Sequence, residues 1–254
     1  MSKRSKAAYV ALFTIVLQLV PLRKVTMVVA DFEAAIWVSL RQLMPGVKLK
    51  GCLFHFCQAI YRKMVNDLNL KRSYNRDPGT KQLCRKLMAL PLLPIGSIRS
   101  MFRKLTCDIE LQSPLWKLAD YMFKTWIEGR LFKPEDWCWY AYNTRTNNDV
   151  EGWHNRFNYR NEHKSNIPFY SLVSFLFDEA TSIDMTMMQI YTDRNVRRQR
   201  AGTQERQKFL QKHWKKMKDG RISCDKFLTL VIKHKCVTPS DNWETDRPRD
   251  GEEE

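Results

Sequence analysis

Three places in the sequence carry residues whose type and setting suit chemistry. Asp31 ends the run Val25-Thr26-Met27-Val28-Val29-Ala30, a near-continuous apolar and β-branched stretch. A run of this kind reads as a strand buried on both faces of a parallel sheet. Functional groups in open α/β sheets gather at the carboxyl ends of strands, so a carboxylate there meets water and is placed to hold a metal. An aspartate in this position also suits capping of a following helix, and local sequence leaves both roles open. Glu151 lies in Arg145-Thr146-Asn147-Asn148-Asp149-Val150-Glu151-Gly152-Trp153-His154. Asn148-x-x-Glu151 fits a capping box, which gives this acid too a structural reading. Cys52 and His55 form a C-x-x-H element in GCLFHF. Structural zinc needs four ligands and no second close Cys/His pair accompanies this one, so a buried thiol beside a hydrogen-bonded histidine is the expectation.

The elements that must position these residues follow from periodicity. Residues 25–30 form a first strand, 32–44 a helix stopped by Pro45-Gly46, 48–54 a second strand, and 57–68 a helix with Ile60, Met64 and Leu68 in register. Strand–helix–strand–helix implies a parallel sheet with right-handed crossovers. From residue 69 to about 136 the pattern is helical, punctuated by Pro91, Pro94 and Pro134. Residues 137–142 (WCWYAY) read as a short strand or a buried loop. A helix is expected from Asn148 past Phe157, with Val150, Trp153 and Phe157 on its apolar face and Glu151, Asn155 and Asn158 beside it. Packed on the sheet by that stripe, it would hold Glu151 within reach of the strand ends. A longer helix spans 167–191.

Composition narrows the partners. The chain of 254 residues is 44% hydrophobic and 12% aromatic, enough for a packed core. Its 43 Lys and Arg against 27 Asp and Glu leave a formal charge of +16, which favours a polyanion, nucleic acid ahead of an anionic membrane surface. Seven cysteines without a regular framework fit free thiols in a reducing compartment. The uncharged stretch 7–22 behind a basic start raises a signal peptide or anchor. It falls short of a membrane span and lacks an A-x-A site, and Tyr9, Leu12, Phe13, Val16 and Leu19 recur at helical spacing, so a buried amphipathic helix is expected. Residues 194–221 hold eleven basic residues against two acidic ones. Of these, Arg194, Arg197, Arg198, Arg200, Lys212, Lys215, Lys216 and Lys218 suit contacts along a DNA backbone, a solvated helix face, or a nuclear import signal. Residues 238–254 hold seven acids and two arginines and read as a disordered tail.

Taken in order, VVADFEAA, GCLFHFCQAIYRK and RTNNDVEGWHNRF, with a helical stretch between the second and third, resemble the transposase domain of Mutator-like elements (MULE). The resemblance runs from about Ser5 to about Tyr191. It implies an α/β protein, an incomplete ribonuclease-H-like fold with a large helical insertion, mostly α by residue count. It divides the chain into a partial core at 1–68, an insertion at 69–142, returning core helices with the glutamate at 143–191, a basic helical segment at 192–237 and the acidic tail at 238–254. The family cleaves and joins DNA with an Asp–Asp–Glu triad that holds two Mg²⁺ or Mn²⁺ ions. Asp31 matches the second aspartate and Glu151 the glutamate, both as metal ligands. Cys52 and His55 match a C-x-x-H element near the site.

One departure is decisive for that expectation. The family's first aspartate precedes the helix matched by residues 5–20, and Asp31 is the first acidic residue of the chain. A two-metal site lacking a shared carboxylate loses its catalytic power. The resemblance therefore implies DNA as partner, no membrane, a possible homo-oligomer, a nuclear or else cytoplasmic location, and no turnover by this chain alone. The alternatives are a fragment of a full-length active transposase, a domesticated DNA-binding regulator without catalysis, and a secreted or anchored basic protein using residues 7–22.

Overall fold

The computed structural model describes residues 5–19, 25–146, 148–160, 167–192 and 201–237. The described chain is mostly helical and contains one small sheet of two parallel strands. It gathers into two compact units. One takes the described residues of Met1–Thr146 and Phe209–Glu254, the other those of Asn147–Lys208.

In the first unit, helix α1 (Lys6–Leu19) precedes strand β1 (Met27–Ala30), helix α2 (Ala34–Leu43), strand β2 (Lys48–Gly51) and helix α3 (Leu53–Arg62). The β-branched run pairs in parallel with β2, Met27 opposite Lys48 through Ala30 opposite Gly51. Backbone bonds from Lys48 N to Thr26 O and from Cys52 N to Ala30 O extend the ladder at both ends. The second strand is shorter than its expected 48–54. It ends at Gly51, and α3 begins at Leu53, four residues before the expected start. Leu53, Phe56, Cys57 and Ile60 are all buried, and that helical period outweighs the extended preference of 52–54. His55 therefore stands on the first turn of a helix rather than on a strand.

The helical region follows as α4 (Lys71–Arg76), α5 (Pro78–Met88), α6 (Ile95–Thr106), α7 (Pro114–Met122) and the short α8 (Pro134–Trp137). Two start signals are visible in sequence and are used. Asp77 caps α5 through Gly79 N and Thr80 N with Pro78 behind it, and Ser113 caps α7 through Trp116 N with Pro114 behind it. Of the two readings of WCWYAY, the buried loop is the one formed, and Trp137 instead closes α8. Trp137 and Trp139 are fully buried, each stabilising the core by about 2–3 kcal/mol. Trp139 donates through Nε1 to Gly51 O at 2.9 Å, and its backbone N bonds Pro91 O. Lys50 is buried beside it and donates to Glu135 O at 2.6 Å and Cys138 O at 2.8 Å. Burial lowers the pKa of this ammonium below the ordinary lysine value. The helical region is thus locked onto the carboxyl end of β2 by two buried polar anchors.

The expectation that residues 7–22 form a buried amphipathic helix needs correction. The helix forms, but no residue of α1 is buried, and Leu12, Ile15, Val16 and Leu19 are exposed. Ser39 Oγ of α2 reaches Lys6 O, which ties α1 to α2 along one side. Nothing among the described residues covers the other side. No helix among the described residues is long and apolar enough to cross a membrane.

The second unit holds α9 (Asn148–Arg160) and α10 (Phe169–Tyr191). The chain then continues into α11 (Ala201–Lys218) and α12 (Cys224–Lys233), whose buried side chains belong to the first unit's core. Trp214 Nε1 donates to Leu92 O at 2.8 Å, and Lys86 pairs with Asp225 at 2.6 Å. Residues 238–254, the expected tail, lie outside the described residues.

Candidate functional site

Asp31 follows the last residue of β1 and opens an open cleft of ≈ 590 Å³ whose lining includes Glu33, His55, Gln58 and Arg62. Asp31 is not the helix cap that local sequence allowed. Helix α2 starts later, at Ala34, and Glu33 occupies its N-cap position without a side-chain cap bond. The Asp31 carbonyl accepts from Trp37 Nε1 at 2.7 Å, which pins the backbone. Its half-exposed carboxylate approaches His55 Nδ1 at 2.8 Å.

His55 links the cleft to the core. Burial on its own would lower its pKa, but the Asp31 carboxylate and a hydrogen bond with Cys52 outweigh burial and raise it to about 10. The imidazolium therefore persists at neutral pH and shares charge with Asp31. Cys52 is fully buried at the N-cap position of α3. The C-x-x-H spacing places the thiol at the base and the ring one turn above it, so Asp31, His55 and Cys52 form one chain of contacts. As read from sequence, this is a buried cysteine and a partnered histidine beside a strand-end acid.

Phe32 sets the position of Asp31. Its ring stacks on Trp37 with centroids 5.9 Å apart and meets Trp126 and Phe132 edge-on at 4.7 Å and 5.1 Å. The same ring lies over Gly51, where a Cβ would overlap it. A glycine at the end of β2 is therefore required by the neighbouring strand's aromatic side chain.

Glu33 was not picked out by the sequence reading. Its Oε1 is buried and has no hydrogen-bond partner among the described residues. The signal available was spacing alone: Asp31-x-Glu33 at a strand end places two acids on one rim. Among the described residues no group of three or more His, Cys, Asp or Glu side chains is arranged to hold a metal ion. Asp31 supplies one half-exposed carboxylate at the cleft.

Glu151 is placed on α9 by its backbone, and its carboxylate lies outside what is described. Asp31 and Glu151 belong to separate units. Within the second unit the acid that organises the helices is Glu179 on α10. It is 2% exposed and accepts from Trp153 Nε1 at 3.0 Å, Arg156 Nη2 at 3.1 Å and Arg160 Nη1 at 2.5 Å. The hydrogen bond from Arg156 leads the effects that hold its carboxyl below the usual glutamate range. Its three donors recur at helical spacing on α9, a pattern visible in sequence only once the partner is known.

Of the basic residues, Arg194, Arg197, Arg198 and Arg200 lie outside the described residues. Lys212, Lys215 and Lys218 are exposed on α11 and Lys216 is half-buried, while Leu210, His213 and Trp214 bury the opposite side. The four lysines are thus presented from a helix anchored in the core. Comparison with family models, with curated proteins and with solved structures finds no match to the chain.

Proposed function

We propose that this chain is a transposon-derived domain of the Mutator-like transposase type, an incomplete ribonuclease-H-like fold that binds DNA and does not turn it over alone. The observation that carries this reading is Asp31 at the carboxyl end of a parallel strand, at the mouth of a cleft, in contact with the histidine of the C-x-x-H element at the end of the next strand. The parallel strand pair and the Asp31–His55 contact support this reading. The charge of +16 and the anchored lysines of α11 suit a phosphate backbone. In this reading Asp31 and Glu151 would be the Mg²⁺ or Mn²⁺ ligands that the chain retains. The described side chains do not complete a metal set, so no cleavage step is assigned to them.

The test is a nicking and binding assay on the purified chain with Mg²⁺ or Mn²⁺ and duplex DNA. The expected result is salt-sensitive binding, unchanged in Glu151→Gln, with no nicking. Robust nicking abolished by Asp31→Asn would overturn the inactive reading and favour an active transposase. Spin labels at positions 31 and 151 test the fold assignment separately, because a shared metal site requires the two positions to be close. A separation spanning the molecule removes the ribonuclease-H-like reading.

A further inference from the structure

Helix α10 has two apolar sides. One carries Phe175, edge-on to Phe157 of α9 at 6.4 Å, and the buried Glu179. The other carries Phe169, Val173, Leu176, Ala180 and Ile183, all exposed. These five follow one another at intervals of four, three, four and three residues, the alternating seam of a helix that packs lengthwise against another helix. Tyr170 and Phe177, one heptad apart, flank the seam and are 86% and 72% exposed. An apolar side chain standing alone on a surface is ordinary, whereas a contiguous helical seam of this size is not.

We infer that the exposed seam of α10 is a self-association surface, and that its occupant is α10 of a second copy of this chain. Two observations favour that occupant. The first is area. The seam and its flanking rings expose on the order of 700 Å², close to the ~800 Å² that each partner contributes to a standard interface. The helix, at 23 residues or about 34 Å, is long enough for three heptads to pair. The second is charge. Helix α10 contains no lysine or arginine, in a chain with 43 of them. A polyanion finds no cation there, and of the helix's three acids Glu179 is already paired with Arg156 and Arg160 of its own chain. An isologous pairing also closes on itself, so association stops at two.

Sedimentation equilibrium of the full chain at micromolar concentration tests this without reference to DNA or metal. The expected species is a dimer, twice the 30.2 kDa chain mass. Leu176→Glu with Ile183→Glu places charges at two seam positions that are exposed in the single chain. This variant should weaken association at least a hundredfold while circular dichroism keeps its helix content. If it loses helix, Val173→Ser with Ile183→Ser gives the same readout without charge. A monomeric wild type overturns the inference, with slow solvent labelling of the seam then assigning it to its own chain. A dimer that survives a folded seam variant overturns it, as do polydisperse aggregates in place of a dimer.

Discussion

The ring of Phe32, at the end of one strand, lies on the α-carbon of Gly51, at the end of the next, leaving no room for a Cβ. Phe32 adjoins Asp31, and Gly51 precedes the Cys52 that reaches His55. Both partners of the Asp31–His55 pair therefore hang on one close approach between strand ends.

Gly51→Ala should displace that ring from its stack on Trp37. Overpacking of this kind costs about 1–3 kcal/mol. Urea unfolding of the variant should show the loss as a lower midpoint, and Phe32→Leu in the same chain should restore part of it. An unchanged midpoint would mean that the ring has somewhere else to go.

Glu179 makes the α9–α10 pairing sensitive to acid. Its folded pKa lies below the ordinary value, chiefly through Arg156. The stability it contributes is therefore fully present above the unfolded glutamate pKa of about 4.3, and is lost as pH falls through the lower folded value. The Trp153 indole N–H, which bonds Glu179 directly, should shift in that acid range in NMR spectra. Glu179→Gln should flatten the titration and lower stability by about 1–2 kcal/mol.

Neutralising Lys212, Lys215, Lys216 and Lys218 together should leave the melting temperature nearly unchanged, because Leu210, His213 and Trp214 hold the helix in place. Each lysine that contacts a phosphate should remove about 0.9 from the slope of log K against log salt. Trp214→Ala does the reverse. It takes away a buried indole and its bond to Leu92 O, and should cost about 3–5 kcal/mol before DNA is considered.

The cysteines should react in order of burial. Burial pushes the Cys57 and Cys138 thiols up and that of Cys84 up to about 12, while Cys107 is exposed. Titration of the native protein with a thiol reagent should label Cys107 first, Cys224 and Cys236 more slowly, and Cys57, Cys84 and Cys138 only on unfolding. Prompt labelling of Cys57 would contradict the packing of α3.

Residue order by itself determined the local pieces. The β-branched run before Asp31 forms β1, the segment from Lys48 pairs with it in parallel, and Pro with Asp or Ser opens α5 and α7. Backbone sterics and side-chain period act over a few residues, so these features can be read from neighbours alone. The partners were decided only in three dimensions. Asp31 faces His55 rather than the start of α2, because α3 begins at Leu53 and lifts the ring to the cleft. The period of α1 shows which residues share a side, but not that Leu12, Ile15, Val16 and Leu19 stay uncovered. Glu179 draws in residues 19 to 26 positions away, and Trp214 finds a carbonyl 122 positions away. Such pairings depend on where whole elements dock, and the burial of distant surfaces governs that docking.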